Sequence, residues 1–175
     1  MSIQMKFMNI RLLLLLCGLI LTSCHGAKYH YKQGNKFAEA HMLKPAVTEY
    51  KKALDKKPEK VNFLIAMEHR GSALLEELYT NYRFADGNDS LSVYKFLEAA
   101  KWTTYLKKYI SVDRYEGFYE VDYQQQLSSY INAVYKRSKL LIRSRSFDKA
   151  QIRLIELETL KPGFRDVKEL LTFSE

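Results

Sequence analysis

The sequence predicts an all-α protein, and three observations carry that expectation. Glycine (7) and proline (3) are scarce in a chain of 175 residues, whereas a turn-rich β protein needs many more of both. Apolar residues recur at alternating steps of three and four over most of the length, the period of a helix with one buried face. The interruptions are short. With 47% hydrophobic residues, the chain can bury the core of one domain of ordinary size. Its formal net charge is +8 and its pI near 9.3. That balance permits contact with nucleic acid, anionic lipid or acidic protein and selects none of them. Tyrosine is abundant, 13 residues against one tryptophan, and suits both helix packing and recognition surfaces.

The amino terminus reads as a processing signal. Lys6 and Arg11 give a positive start with no acid, and Leu12 to Leu21 come next as ten residues without a charge. That run is too short to span a bilayer, which takes about 20 apolar residues. It fits the apolar region of a secretory signal, about 7–15 residues; the alternative is a buried helix of the mature fold. The run ends in Leu21-Thr22-Ser23-Cys24, which resembles the lipobox of bacterial lipoproteins. The resemblance implies a signal peptide at 1–23, a mature domain at 24–175, and a lipid on Cys24. A single acyl chain holds a protein only marginally, at about 0.8 kcal/mol per buried methylene, and two or more anchor it stably. Cys17 falls in the removed segment, so Cys24 would be the only mature cysteine. Neither a disulfide nor a cysteine metal site is then expected. His25 stands where, in well-studied bacteria of this type, an Asp favours inner-membrane retention. The expectation is therefore an outer-membrane anchor on the periplasmic face.

Along the mature chain, Leu127, Ile131, Val134, Ser138 and Leu141 step by four and three, as do Phe147, Ala150, Leu154 and Leu157. Pro45 can open a helix, because its missing N–H costs nothing in a first turn. Pro58 and Pro162 close helices or start the next. Residues 85–90 are the strongest loop, with Asp89 or Ser90 expected as the N-cap of the next helix. Between that loop and Pro58, Leu64, Gly71, Leu74, Leu78 and Tyr82 mark one long helix. Leu91, Val93, Leu97, Ala100, Thr104 and Ile110 allow another. Residues 113–119 read as a connection, and Phe164, Val167 and Leu171 as one face of a terminal helix.

Two segments carry a common pattern. Gly34, Phe37, Ala46, Tyr50, Ala53 and Pro58 recur at the same offsets as Ser138, Leu141, Ala150, Leu154, Leu157 and Pro162. A small residue, an apolar one, Ala, two further apolar residues and then Pro resembles the tetratricopeptide repeat. The resemblance implies antiparallel helix pairs at about 27–58, 61–111 and 122–161, with a capping helix at 164–173 covering the open end of the array. In that family the first helix of each pair lines a concave groove. The corresponding positions here are Tyr31, Lys32 and Asn35, and Tyr135, Lys136 and Lys139. Tyr offers flat contact area with a hydroxyl, and Lys can pair with a carboxylate. The other reading of these tyrosines is packing between neighbouring helices.

No catalytic or metal set emerges. His25, His30, His41 and His69 form no HExxH motif. Asp86, Asn88 and Ser90 start like a calcium loop, but Leu91 and Leu97 stand where it needs Gly and an acid. Lys51, Lys52, Lys56 and Lys57 interleave with Glu49, Asp55 and Glu59 on the side of a helix away from Val47, Tyr50 and Leu54. That arrangement reads as a solvated face. Arg137, Lys139, Arg143 and Arg145 form a second basic group.

The expected function is thus a membrane-anchored scaffold of tetratricopeptide type that holds a protein or peptide in a groove and serves assembly of an envelope complex. No cofactor, enzymatic activity or nucleic-acid partner is expected. The alternative is a lipoprotein that captures peptides or glycans for a transporter. A deep closed pocket with convergent carboxylates would instead mark an enzyme.

Overall fold

The computed structural model describes residues 26–85, 88–117 and 119–173. Residues 1–25, with the expected signal peptide and Cys24, lie outside the described residues. Those residues form seven helices and no strand: α1 (Ala27–Glu39), α2 (Leu43–Lys56), α3 (Val61–Phe84), α4 (Asp89–Leu106), α5 (Glu120–Arg143), α6 (Phe147–Leu160) and α7 (Val167–Phe173). None of these helices is long and apolar enough to cross a membrane. The chain forms two compact units, divided inside α3 after Leu74.

In the first unit α1 and α2 make a tight hairpin. The reason is steric. A Cβ added at Gly34 would lie 2.5 Å from Cε1 of Tyr50, so only a residue without one admits the ring against the α1 backbone. The Tyr50 hydroxyl donates to Asn35 Oδ1 at 2.8 Å, which fixes the ring at that spot. His30 Nδ1 and Glu49 Oε2 meet at 2.7 Å and join the same two helices. Phe63, at the start of α3, stacks on Tyr31 with centroids 4.6 Å apart.

The second unit contains a hairpin, α5–α6, that repeats the local geometry of the first. His41 and Arg145 both adopt the left-handed region, φ 56° and 57°. In each turn the next N–H closes a Schellman-type bond, Met42 to the Phe37 carbonyl and Ser146 to the Leu141 carbonyl, both 2.8 Å. Neither turn uses the glycine usual there, so the packing of the hairpin holds a conformation that an L residue dislikes. The ends match too: Lys57 (φ −144°, ψ 78°) and Lys161 (φ −146°, ψ 88°) are extended. Each precedes a proline, whose ring excludes the helical region for its neighbour. One constant offset carries 34 to 138, 41 to 145, 50 to 154 and 58 to 162. Ser138, Leu154 and Leu157 are fully buried.

The rest of the second unit is built around tyrosines. Tyr79 stacks on Tyr115 and Tyr119, each at 4.9 Å between centroids, and Phe96 stacks on Tyr123 at 4.0 Å. The cluster ties the second half of α3 to α4, to α5 and to the connection before α5. Burial pushes the Tyr79, Tyr115 and Tyr123 hydroxyls above their ordinary pKa. The buried hydroxyls that α4 carries have partners: Tyr79 meets Thr103 Oγ1 at 3.1 Å, and Ser92 donates to the Ala85 carbonyl at 2.7 Å.

One local expectation is corrected, and the leucines that mark α4 in the sequence are not its inner face. The buried face of α4 is Ser92, Val93, Phe96, Ala99, Thr103 and Leu106, while Leu91, Leu97 and Thr104 are exposed, as is Leu64 on α3. The hydroxyls of Ser92 and Thr103 satisfy themselves on backbone carbonyls and Tyr79, so the polar positions turn inward and the leucines outward. The N-cap of α4 is Asn88, which accepts from the Leu91 N–H at 3.1 Å, rather than Asp89 or Ser90.

Gly34→Ala is expected to destabilise the first unit by roughly 1–3 kcal/mol, the usual cost of overpacking, seen as a lower urea midpoint. Gly26→Ala has nothing within 4 Å of the new Cβ and should lower the midpoint less, by the equivalent of about 0.5–1 kcal/mol for a poorer N-cap residue. Equal effects would show that the Tyr50 contact does not constrain the hairpin.

Candidate functional site

Tyr31, Lys32 and Asn35 lie on α1, and Tyr135, Lys136 and Lys139 on α5, each set within its own compact unit. Tyr31 is half-buried between Phe63 and Tyr50. Asn35 accepts the Tyr50 hydroxyl, and Lys32 is exposed on the outer side of α1. Tyr135 is buried: its hydroxyl donates to Asp166 Oδ1 at 2.6 Å, and Phe164 and the Arg165 guanidinium pack on its ring. Lys139 Nζ lies 3.7 Å from Asp166 Oδ2, and Lys136 is exposed. The Tyr135 hydrogen bond holds the Asp166 carboxyl below its ordinary pKa. Both tyrosines therefore serve packing, Tyr31 against the helix after its hairpin and Tyr135 against the segment leading into α7.

The second unit has an open apolar cleft elsewhere, of about 420 Å³, between α4 and α6 over Tyr123 of α5. Its walls are Tyr94 and Leu97 on one side and Ile152 and Ile155 on the other, exposed by 45%, 38%, 65% and 53%. These side chains lie on the outer faces of their helices because the inner faces are taken. On α6 the inner face is Ala150, Leu154 and Leu157, and on α4 it is the stripe from Ser92 to Leu106.

Glu156 organises the cleft. Its Oε1 accepts from Tyr94 at 2.6 Å and from Tyr130, and its Oε2 from Arg153 at 2.9 Å. Burial alone would raise its pKa, but the donors Tyr130, Tyr94 and Arg153 outweigh burial and hold it below the ordinary value. Burial, and then the carboxylate beside it, push the Tyr94 hydroxyl well above its usual range. Thr159, the other short polar side chain in the lining, donates to the Ile155 carbonyl at 2.8 Å. The cleft thus offers apolar surface, with its carboxylate and threonine hydroxyl already engaged. Its chemistry suits aliphatic or aromatic side chains. Among the described residues no group of three or more His, Cys, Asp or Glu could hold a metal ion.

The cleft escapes a reading of the sequence because its walls lie some sixty residues apart on helices whose outer faces look merely irregular. The usable signal is Ile152 and Ile155, two β-branched residues on the polar side of α6. The lysine-rich stretch of α2 behaves as a solvated face: Lys51 pairs with Asp55 and Lys52 with Glu49, both at 2.5 Å. No family model, no curated protein and no solved structure matches this chain.

Glu156 has a native pKa below its unfolded value, so the unfolded state binds more protons in acid. Its stabilising contribution is complete above about pH 4.3–4.5 and is lost as pH falls through the depressed native value. Glu156→Gln should lower the urea midpoint at neutral pH and flatten its fall on acidification. An unchanged pH profile would show that the three donors do not act on this carboxylate.

Proposed function

We propose that this chain is a lipid-anchored scaffold of the bacterial envelope, tetratricopeptide-like in its helix pairs, that holds an apolar-faced segment of a partner protein. The observation that carries the reading is the α4–α6 cleft: exposed Leu97, Ile152 and Ile155 around a carboxylate whose bonding is already met. Water gains nothing from such a surface, and an apolar segment that covers it gains the burial of each side chain, about 1.5–3 kcal/mol for a Leu or Ile. A sugar would need unengaged polar groups to replace its own hydration. That favours a protein segment over a glycan. The repeated hairpin geometry, with matched turns at His41 and Arg145 and matched ends at Lys57 and Lys161, supports the tetratricopeptide resemblance. The lipobox sequence at 21–24 supports the anchor. The cleft sits on the second helices of the pairs, so the proposed contact moves from Tyr31 and Tyr135 on the first helices to Leu97 and Ile155.

The test is a photo-crosslinking residue placed at Ile155 in the full chain and activated in intact membranes. It should yield one discrete protein adduct that Leu97→Asp reduces at least about tenfold, by loss of roughly one buried leucine. The same residue at Lys57, on the solvated end of α2, should yield none. Equal adducts at both positions would sink the cleft as the partner site. Cys24→Ser should release the chain from membranes, and its retention with normal mobility would sink the anchor.

A further inference from the structure

We infer that the outer face of α1 lies against an anionic phospholipid surface, with Lys28, Lys32 and Lys36 set among the lipid phosphates; this rests on the anchored reading of Cys24. The three lysines stand four residues apart, which places them in one row along the helix. All three are exposed, on the side opposite Ala27, Gly34 and Ala38, which are buried.

The charge pattern is one that an isolated helix resists. Like charges four apart repel, and Lys28 stands in the first turn, where no acid is present and the helix dipole disfavours a cation. Glu39, the one acid of α1, comes only in the last turn. Among the described residues, none of the three lysines has an ion pair. On α2, by contrast, Lys51 pairs with Asp55 and Lys52 with Glu49. The row on α1 is thus a run of like charge without compensation from the helix itself, which an anionic surface would favour.

Chain length says how near such a surface lies. His25 and Gly26 alone separate Cys24 from the first helical residue. Three residue steps reach at most about 11 Å, comparable to the head-group layer, which adds roughly 5–8 Å to each side of the hydrocarbon. An acylated Cys24 leaves α1 no slack to stand away from the phosphates. Tyr29, 43% exposed on the same side, is a residue type that favours the membrane interface.

The test uses the lipidated full chain in vesicles of phosphatidylcholine alone or in equal parts with phosphatidylglycerol. A water-soluble amine reagent is applied and each lysine's labelling rate is read by mass spectrometry. Lys101 and Lys149, exposed in the second unit, are internal references. In the anionic vesicles Lys28, Lys32 and Lys36 should label at least about fivefold more slowly than in neutral ones, the ratio that one cation near an anionic leaflet is worth. High salt should abolish the difference. Equal rates in both vesicles overturn the inference, as does protection by added nucleic acid but not by the vesicles. The acyl mass on Cys24 is measured on the same sample. Its absence overturns the anchored reading and this inference with it, whereas its presence with unprotected α1 lysines overturns this inference alone.

Discussion

The contact between the Tyr50 ring and the backbone at Gly34 is the constraint on which the first hairpin depends. It sets how near α2 comes to α1, and the bond from the Tyr50 hydroxyl to Asn35 sets where along α1 the ring rests. With separation and register both defined, the turn between the helices has little freedom. It must reverse the chain within a few residues, and the Schellman closure at Met42 is a compact way to do so. His41 is then driven into the left-handed region, at a cost of order 1 kcal/mol for a side chain with a Cβ. Strain of that size persists only where surrounding contacts over-determine the conformation. The second hairpin solves the same problem with Ser138, which is larger than glycine and turns its hydroxyl onto the Val134 carbonyl at 2.9 Å.

Tyrosine supplies what the middle of the chain lacks in aliphatic side chains. Stacked rings bury large areas and gain about 0.5–1.5 kcal/mol per well-placed pair beyond that burial. Each brings a hydroxyl that needs a partner, and this requirement shapes α4. Thr103 stands where Tyr79 needs a hydrogen-bond partner and bonds the Ala99 carbonyl as well. A helix whose inner face contains Ser92 and Thr103 has polar residues in its core, and its leucines at 91 and 97 are left for the outside. The apolar cleft against α6 is thus a consequence of how the aromatic cluster is satisfied on the other side of the same helix.

The parts of the fold that were legible in the sequence are those set by close packing of consecutive helices. Gly34 lies against the Tyr50 ring, Ala46 and Ala53 are fully buried and Pro58 ends the unit, so their spacing locates a hairpin. The recurrence at Ser138, Ala150, Leu157 and Pro162 locates another. The face of α4 was not legible, because a period argument counts Leu as inside and Ser as outside, and here burial followed hydrogen-bond satisfaction. The N-cap was missed by one residue among Asn88, Asp89 and Ser90, whose side chains can all accept from a backbone N–H. At Tyr31 and Tyr135 the sequence left groove and packing equally open, since a tyrosine serves both. Phe63 and Asp166, which engage them, are distant in sequence. The cleft was invisible for the same reason, as Tyr94 and Glu156 meet only through the tertiary fold.

The lysines of α1 and α2 differ in how they are compensated. On α2, lysines alternate with acids three or four residues away and form i,i+3 and i,i+4 pairs, worth a few tenths of a kcal/mol each and weakened by salt. They keep a solvated helix soluble and carry no further information. On α1 the same residue type recurs every four residues, with its one acid, Glu39, only in the last turn. Nothing in the propensity of Lys distinguishes these helices, and a count of basic residues would rank α2 first. What distinguishes them is the uncompensated repulsion along α1, together with a lipobox-like sequence, Leu21 to Cys24, ending two residues before the helix. A charge pattern that is unfavourable within the chain becomes favourable where an anionic surface lies within reach, and an anchor that short would keep one there.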